Sequence, residues 1–340
     1  MKAFQLTRFG SAKEAFALKE FPDLQPKPHE VVVDVEAFGL NFADVVARTG
    51  KYQDCPPLPC VIGYDAVGNI SKLGSNVTHL QIGQRVVAFT RFGGYATQVA
   101  SDAKGVVPIS ENMEAGEAAA LATQYCTAYY AAEEMVRLNE GDHVVIQAAA
   151  GGVGTALIQL AKNRKCIIYG GAGSDEKLDY LRKLGVDYPI NYRKEDLHQA
   201  VKKIMNGKRP DVIFNSIGGK TMRDGLALLG TGGRLVCYGA AEAMDESNKL
   251  LANLKLAWGF GLLFPPVLIM QTKALIGINM LRIADDKQDI LQRCLQNVVK
   301  LHGQGIVKPH TGAVYTTNQL AEAHEFLESR KSVGKVIVKW

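Results

Sequence analysis

Ala149-Ala150-Gly151-Gly152-Val153-Gly154 separates a short β-branched run, His143–Ala148, from Thr155–Lys165, in which Ala156, Leu157, Leu160 and Ala161 recur at helical spacing. A strand that turns through glycines into a helix offers backbone N–H groups at the helix N-terminus, where a pyrophosphate is stabilised. This is a candidate dinucleotide turn. Ala149 stands where the first glycine of G-x-G-x-x-G belongs, so the motif alone also fits a tight turn with no ligand.

The surrounding text supports the first reading. From 143 onward, strand-like runs (His143–Ala148, Cys166–Gly170, Tyr188–Ile190, Asp211–Asn215, Arg234–Tyr238, Ala274–Asn279) alternate with helix-like ones (Thr155–Lys165, Asp175–Leu184, Glu195–Asn206, Thr221–Leu229). Helices that follow parallel strands build right-handed crossovers and a doubly wound sheet, and six strands make a full dinucleotide-binding domain. Residues 1 to about 120 read differently. Short β-branched runs such as Val31–Val35, Ala66–Ile70, Gln84–Phe89 and Tyr95–Val99 are punctuated by glycine and proline, which predicts a small antiparallel, barrel-like domain. The text from 111 to 137 is Ala-rich and helical. The tail from about 281 opens with a helix over Asp286–Leu301, ends strand-like at Gly334–Val338, and is expected to rejoin the first domain. The expected organisation is α/β, with 1–122 and 281–340 in one domain and 123–280 in the other.

Of the 340 residues 47% are hydrophobic, and the net charge is only +5, without a basic cluster interleaved with aromatics, so nucleic-acid binding is not expected. The six cysteines include no C-x-x-C pair; Cys126, Cys166 and Cys237 lie in apolar text and are expected to be buried free thiols. The seven histidines form no ligand cluster and are read as surface or single-contact residues. The N-terminus lacks a signal-peptide layout, and a cytoplasmic location is expected. The longest apolar stretch, Leu256–Met270, is shorter than the ~20 residues of a membrane span and is broken by Pro265-Pro266; it is read as a buried or cleft-lining segment, with membrane-surface contact as a minority alternative.

In NAD-binding folds a carboxylate roughly 20 residues past the glycine turn holds the ribose hydroxyls. Here that count reaches Tyr169, Gly170 and Gly171. A carboxylate would repel a 2′-phosphate, so its absence favours NADPH. Gly173, Ser174 and Lys177 stand near enough to receive that phosphate; Asp175 and Glu176 count against it but also suit the first turn of a helix.

Over nearly its whole length the chain resembles the medium-chain dehydrogenase/reductase superfamily, in its zinc-independent quinone oxidoreductase branch. The resemblance is carried by Met1-Lys2-Ala3, Gly39-Leu40-Asn41-Phe42-Ala43-Asp44, Arg48–Tyr52, Pro59–Gly68, Gly93-Gly94-Tyr95, the 148–154 turn, Ile190-Asn191-Tyr192 and Gly334-Lys335-Val336. Gly305–His310 and the apolar segment leading to Ala274–Gly277 are similar to vesicle amine transport protein-like members. The resemblance implies a Rossmann sheet beside a GroES-like β-barrel catalytic domain and a homodimer paired through Ala274–Asn279. Zinc-dependent relatives carry a cysteine at the position of Asn41 and a His-Glu pair at Tyr64-Asp65, so it also implies no metal.

The implied activity is hydride transfer from NADPH to a quinone or conjugated enone, an acceptor that delocalises the developing charge onto its own oxygen. Two alternatives stay open: an enoyl-thioester or alkenal reductase, and an NADPH-binding protein of little turnover that acts through a partner or a membrane surface. By resemblance, Asn41 and Thr127 lie near nicotinamide and substrate, and Tyr52 donates a proton or positions the acceptor. Gly151, Gly152, Val153 and Gly154 hold the pyrophosphate, and Gly173, Lys177 and Tyr192 surround the 2′-phosphate. Ser216, Gly218 and Tyr238 follow later strands at their C-terminal ends, where ligands of open α/β sheets bind. Tyr64 is read as packing, and Asp44 as an orienting residue or a helix cap.

Overall fold

His143–Ile146, buried from Val144 onward, is the first strand of a six-stranded parallel sheet. The computed structural model describes residues 1–239 and 265–340, and these form two compact units: Met1–Cys126 with Met280–Trp340, and Thr127–Asn279.

In the second unit the sheet order is Tyr188–Asn191, Ile167–Ala172, His143–Ile146, Val212–Asn215, Arg234–Cys237, Ala274–Gly277. That is the doubly wound arrangement, with the direction of winding reversing at His143–Ile146, where the two halves meet. The order follows from parallel strands that cannot be joined without a crossover. Helices Gly152–Asn163, Asp175–Lys183, Leu197–Met205 and Gly219–Leu228 supply those crossovers. Two of them start on side-chain caps: Ser174 accepts from the Lys177 N–H at 3.3 Å, and Asp196 accepts from the Gln199 N–H at 2.9 Å. Ala274–Gly277 is the outermost strand on its side.

In the first unit a seven-stranded sheet contains, in order, Thr311–Thr316, Lys335–Lys339, Glu30–Leu40, Asp65–Leu73, Arg85–Phe89 and Val106–Pro108, with Gln98–Asp102 also on Glu30–Leu40. A second sheet joins Phe16–Glu20, Lys2–Leu6 and Cys60–Val61. Glu30–Leu40 is the organising strand. It pairs with three others, and Val31, Val33, Phe38 and Leu40 are fully buried in the core. The C-terminal strand closes the unit antiparallel to it, Val336 opposite Leu40 and Val338 opposite Phe38.

Three expectations change. The helix foreseen over Asp286–Leu301 is found at Gln288–Gly303, and a further helix, Met280–Asp286, precedes it, separated by Lys287 with its non-helical backbone (φ −141°, ψ 53°). Residues 256–264 of the apolar stretch lie outside the described residues; its end forms the helix Pro265–Gln271, and Ile269 and Met270 there are 80% and 83% exposed rather than buried. Cys237 is half-buried, whereas Cys126, Cys166 and Cys294 are buried thiols. Among the described residues no helix is long and apolar enough to cross a membrane.

Candidate active site

The glycine turn is shaped by close backbone approach. Ala149 N–H donates to Gly171 O at 2.8 Å, tying the end of His143–Ile146 to its neighbour, and Gly151 N–H donates to Ala148 O at 2.9 Å. Helix Gly152–Asn163 then begins, with Gly151 as an N-cap that offers no side-chain bond. Its first internal bond is Thr155 N–H to Gly151 O at 2.8 Å, so helix geometry leaves the N–H groups of Gly152, Val153 and Gly154 for an external acceptor. A Cβ on Gly154 would lie 2.6 Å from Ala148 O and 2.7 Å from Ala149 Cα, so only glycine lets helix and turn approach this closely. The alanine at 149 is tolerated because the approach depends on Gly154.

At the end of the next strand, Gly171, Ala172 and Gly173 present no carboxylate. A Cβ on Gly173 would sit 2.7 Å from the Tyr192 hydroxyl, which places that half-exposed phenol directly over the glycine. Lys177 is half-buried; desolvation, and then the nearby positive Arg193, hold its ammonium below the ordinary lysine range. Asp175 turns away into other partners: Lys194 Nζ reaches its carboxylate at 2.8 and 3.0 Å, and Asn191 Nδ2 donates to it at 3.1 Å. One of the two acids that counted against a 2′-phosphate is therefore engaged by a neighbouring cation. Arg193 escaped the sequence reading because nothing in its spacing tells which way the turn after Asn191 faces.

Further along the sheet, Gly218 N–H donates to Asn215 Oδ1 at 2.8 Å with φ at +82°, and helix Gly219–Leu228 follows. Ser216 and Tyr238 directly follow the paired strands Val212–Asn215 and Arg234–Cys237; burial pushes the Tyr238 phenol above the ordinary tyrosine range. Thr127 belongs to the same unit and is buried, 9% exposed.

Asn41 and Tyr52 lie in the first unit. Asn41 opens the helix Phe42–Arg48, and its N–H donates to Asp44 Oδ2 at 2.7 Å. Its amide is set in a buried ionic cluster. Nδ2 donates to Asp65 Oδ2 at 2.7 Å, and Oδ1 accepts from Lys335 Nζ at 2.9 Å. Lys335 Nζ also reaches Asp65 Oδ2 at 2.7 Å, and the Thr123 hydroxyl donates to the same oxygen at 2.9 Å. Lys335 and Asp65 are both fully buried. The opposite charges fix which end of the amide faces which partner, leaving one Nδ2 N–H to donate elsewhere. Gly39 makes room: a Cβ there would fall 2.0 Å from Asp65 Oδ1 and 2.1 Å from Lys335 Cε. Sequence reading missed Lys335 and Thr123, although a lysine opening the apolar strand Lys335–Lys339 is itself a sign of a buried partner. A zinc ion does not fit this donor set, because an ammonium already bridges Asn41 and Asp65, and no cluster of three or more His, Cys, Asp or Glu suited to a metal exists among the described residues.

Tyr52 is half-buried against the first unit's core, its ring edge-on to Tyr64 at 6.1 Å, and Tyr64 in turn packs on Phe92 at 5.3 Å. Burial, reinforced by Asp54, pushes the Tyr52 phenol up to about 12. Tyr64 is 2% exposed, in keeping with packing.

Two buried groups in this unit titrate in opposite senses. Burial pushes Asp44 from 3.8 up to about 8, opposed by the Asn41 N–H and reinforced by Asp65. Burial and then Arg48 push His324 from 6.5 down to about 3, its Nε2 lying 3.1 Å from the Tyr95 hydroxyl. The Asp44 contribution to stability is full below 3.8 and is lost as pH rises to about 8; that of His324 is full above 6.5 and is lost as pH falls to about 3. Above 6.5 only the Asp44 slope remains of the two. Raising the pH from about 6.5 to about 8.5 is expected to lower the unfolding free energy by about 1–2 kcal/mol through this group, and Asp44→Asn to remove that slope. Urea midpoints at the two pH values measure it; the same slope in the variant would contradict the assignment.

Comparison with known proteins follows these two units. A zinc-binding dehydrogenase family model matches residues 152–296, and an alcohol dehydrogenase GroES-like domain model matches residues 27–111. The human synaptic vesicle membrane protein VAT-1 homolog is 31% identical over 314 residues, covering 92% of this chain and 79% of the relative. The rat quinone oxidoreductase-like protein 2 is 31% identical over 327 residues, 96% of this chain and 89% of the relative. The crystal structure of Escherichia coli quinone oxidoreductase complexed with NADPH superposes with a TM-score of 0.86 at 26% identity and covers 100% of both chains. The parallel sheet is accordingly Rossmann-like and the first unit GroES-like. The chain belongs to the medium-chain dehydrogenase/reductase superfamily, as an oxidoreductase of its VAT-1-like quinone oxidoreductase branch.

Proposed function

We propose that the protein is a zinc-independent, NADPH-dependent reductase that delivers hydride to a quinone or a conjugated enone. The observation that carries the cofactor choice is the end of strand Ile167–Ala172. It has no carboxylate, Tyr192 covers Gly173, Lys177 feels the positive charge of Arg193, and Asp175 is bound by Lys194. The E. coli relative, crystallised with NADPH, supports the same reading.

In this account Gly151, Gly152, Val153 and Gly154 hold the pyrophosphate through helix N-terminal N–H groups. Gly173, Ser174, Lys177 and Tyr192 receive the 2′-phosphate, with Arg193 as a second cation. Ser216, Gly218 and Tyr238 border the remainder of the nucleotide, and Asn41, Thr127 and Tyr52 serve the reacting end. When bound, NADPH supplies the hydride. The chain's own task is to align the acceptor and donate hydrogen bonds to its carbonyl, because a quinone spreads the arriving charge over its oxygens. Asn41 suits this, since Lys335 and Asp65 hold its amide in one orientation.

Tyr52, with its phenol near 12, stays protonated at neutral pH. It donates a hydrogen bond and leaves final protonation to solvent. Tyr52→Phe is therefore expected to lower kcat/KM by about tenfold or less, the worth of one hydrogen bond, with a flat rate profile between about pH 6 and 9. A loss beyond about a thousandfold would instead make Tyr52 the acid. A panel of quinones, alkenals and enoyl thioesters, followed by NADPH absorbance, tests the substrate class. Turnover of quinones or enones is the expected result, and tight NADPH binding with no oxidation of any member would overturn it.

A further inference from the structure

Helix Met280–Asp286 is anchored by Met280 and Leu281, both buried at its start. Arg282 and Asp285 stand three residues apart, on one side of the helix, and reach two different loops. Arg282 Nη2 pairs with Asp54 Oδ1, and Asp285 Oδ1 accepts from Arg91 Nε at 2.7 Å. These loops carry aromatic side chains of the reacting end. Asp54 lies two residues after Tyr52, and the Arg91 guanidinium lies 4.7 Å over the ring of Phe92. Phe92 packs on Tyr64 at 5.3 Å, and Tyr64 meets the edge of Tyr52 at 6.1 Å. The end of the helix is held as well, since Gln288 Nε2 donates to Asp285 O at 2.7 Å. All of these residues belong to the first unit.

The Asp54 side chain is only 13% exposed, so Arg282 neutralises a carboxylate largely shielded from water. Left unpaired, that acid would have to turn outward. Residues 52–55 would move with it, because Cys55 N–H donates to Tyr52 O at 3.2 Å. The opposite charges of Asp54 and Arg91 both act on the Tyr52 phenol. We propose that Arg282 and Asp285 are positioning residues for the reaction: from one helix they hold Asp54 and Arg91, and through those two loops they set the Tyr52 hydroxyl towards the acceptor. The inference rests on the reading of Tyr52 as a hydrogen-bond donor to the acceptor. An ion pair with a solvent-exposed partner is worth at most about fivefold in an equilibrium, so each pair contributes modestly and the two together more.

The test uses the full chain with NADPH and 2-methyl-1,4-naphthoquinone. Arg282→Gln and Asp285→Ala should each raise the quinone KM about two- to fivefold, and together about tenfold, with kcat within about twofold of wild type and NADPH affinity unchanged. In a Tyr52→Phe background the same pair of substitutions should cost less than about twofold, because the hydroxyl they position is gone. Hydrogen exchange reads the positioning without turnover. In the double variant the amides of residues 52–55 and 91–93 should exchange at least about threefold faster, while strand Glu30–Leu40 stays as it was. A wild type that turns over no quinone would overturn the reductase reading, and the exchange rates would then decide whether the helix holds the two loops. With an active wild type, an unchanged quinone KM in the double variant, full additivity with Tyr52→Phe, or unchanged exchange in both loops would each overturn the proposal.

Discussion

Lys335→Met should lower the unfolding free energy by about 3–5 kcal/mol, one of the two largest effects expected of any single substitution here. The reason is the cluster around Asp65. Lys335 Nζ sits 2.7 Å from Asp65 Oδ2 and 2.9 Å from Asn41 Oδ1, and neither charged side chain touches solvent. Methionine replaces the stem volume but leaves the carboxylate with only neutral donors, Asn41 Nδ2 and the Thr123 hydroxyl. An uncompensated buried charge is among the costliest defects in a protein interior, whereas removing both charges together approaches neutrality. Lys335→Met with Asp65→Asn should therefore recover at least half of the loss. Urea unfolding at neutral pH, with an unchanged m-value, measures both. A single-variant loss below about 1 kcal/mol, or a double variant worse than the sum of the singles, would mean that the ion pair does not hold this part of the unit together.

The second large effect is on nucleotide binding. Gly154→Ala is expected to weaken NADPH binding by at least about a hundredfold, while Gly151→Ala, three residues earlier in the same turn, should cost about tenfold or less. Both add the same methyl group. At Gly154 it meets backbone, Ala148 O at 2.6 Å and Ala149 Cα at 2.7 Å, which cannot rotate aside; at Gly151 the nearest atom is Ala148 O at 3.2 Å. Relieving the first clash must push the start of helix Gly152–Asn163 away from the turn, and with it the N–H groups of Gly152, Val153 and Gly154. Hydrogen bonds to a charged phosphate are worth about 1.5–3 kcal/mol each, so misplacing two of them accounts for the expected loss. Isothermal titration of both variants separates the cases. Equal effects would show that methyl volume, and not backbone approach, sets the tolerance of the turn.

The second unit was legible because its signals are local. A buried β-branched run, a glycine turn and an amphipathic helix lie within a few residues of one another, and parallel pairing leaves little choice of handedness. Boundaries moved by one to three residues, as where the helix expected from Thr155 begins at Gly152. The first unit was legible only as a class. Strand Glu30–Leu40 pairs with partners centred on Asp65–Leu73, Gln98–Asp102 and Lys335–Lys339, and no spacing rule announces a pairing with the far end of the chain. Lys335 and Asp65 stand 270 residues apart, so the group that orients Asn41 had no sequence signature beyond a lysine in an apolar strand. Asp175 could be read either as a first-turn acid or as a repulsive one; its bonds to Lys194 and Asn191 depend on where the turn after Tyr188–Asn191 folds back.

The account rests on a nucleotide site that selects a phosphorylated ribose. Titration of the wild-type chain with NADPH and with NADH, alongside Lys177→Ala and Arg193→Ala, tests it most directly. NADPH should bind at least about a hundredfold more tightly than NADH, and each substitution should cost about tenfold or more against NADPH while leaving NADH unchanged. Equal affinity of the wild type for the two nucleotides, or binding of neither, would contradict it.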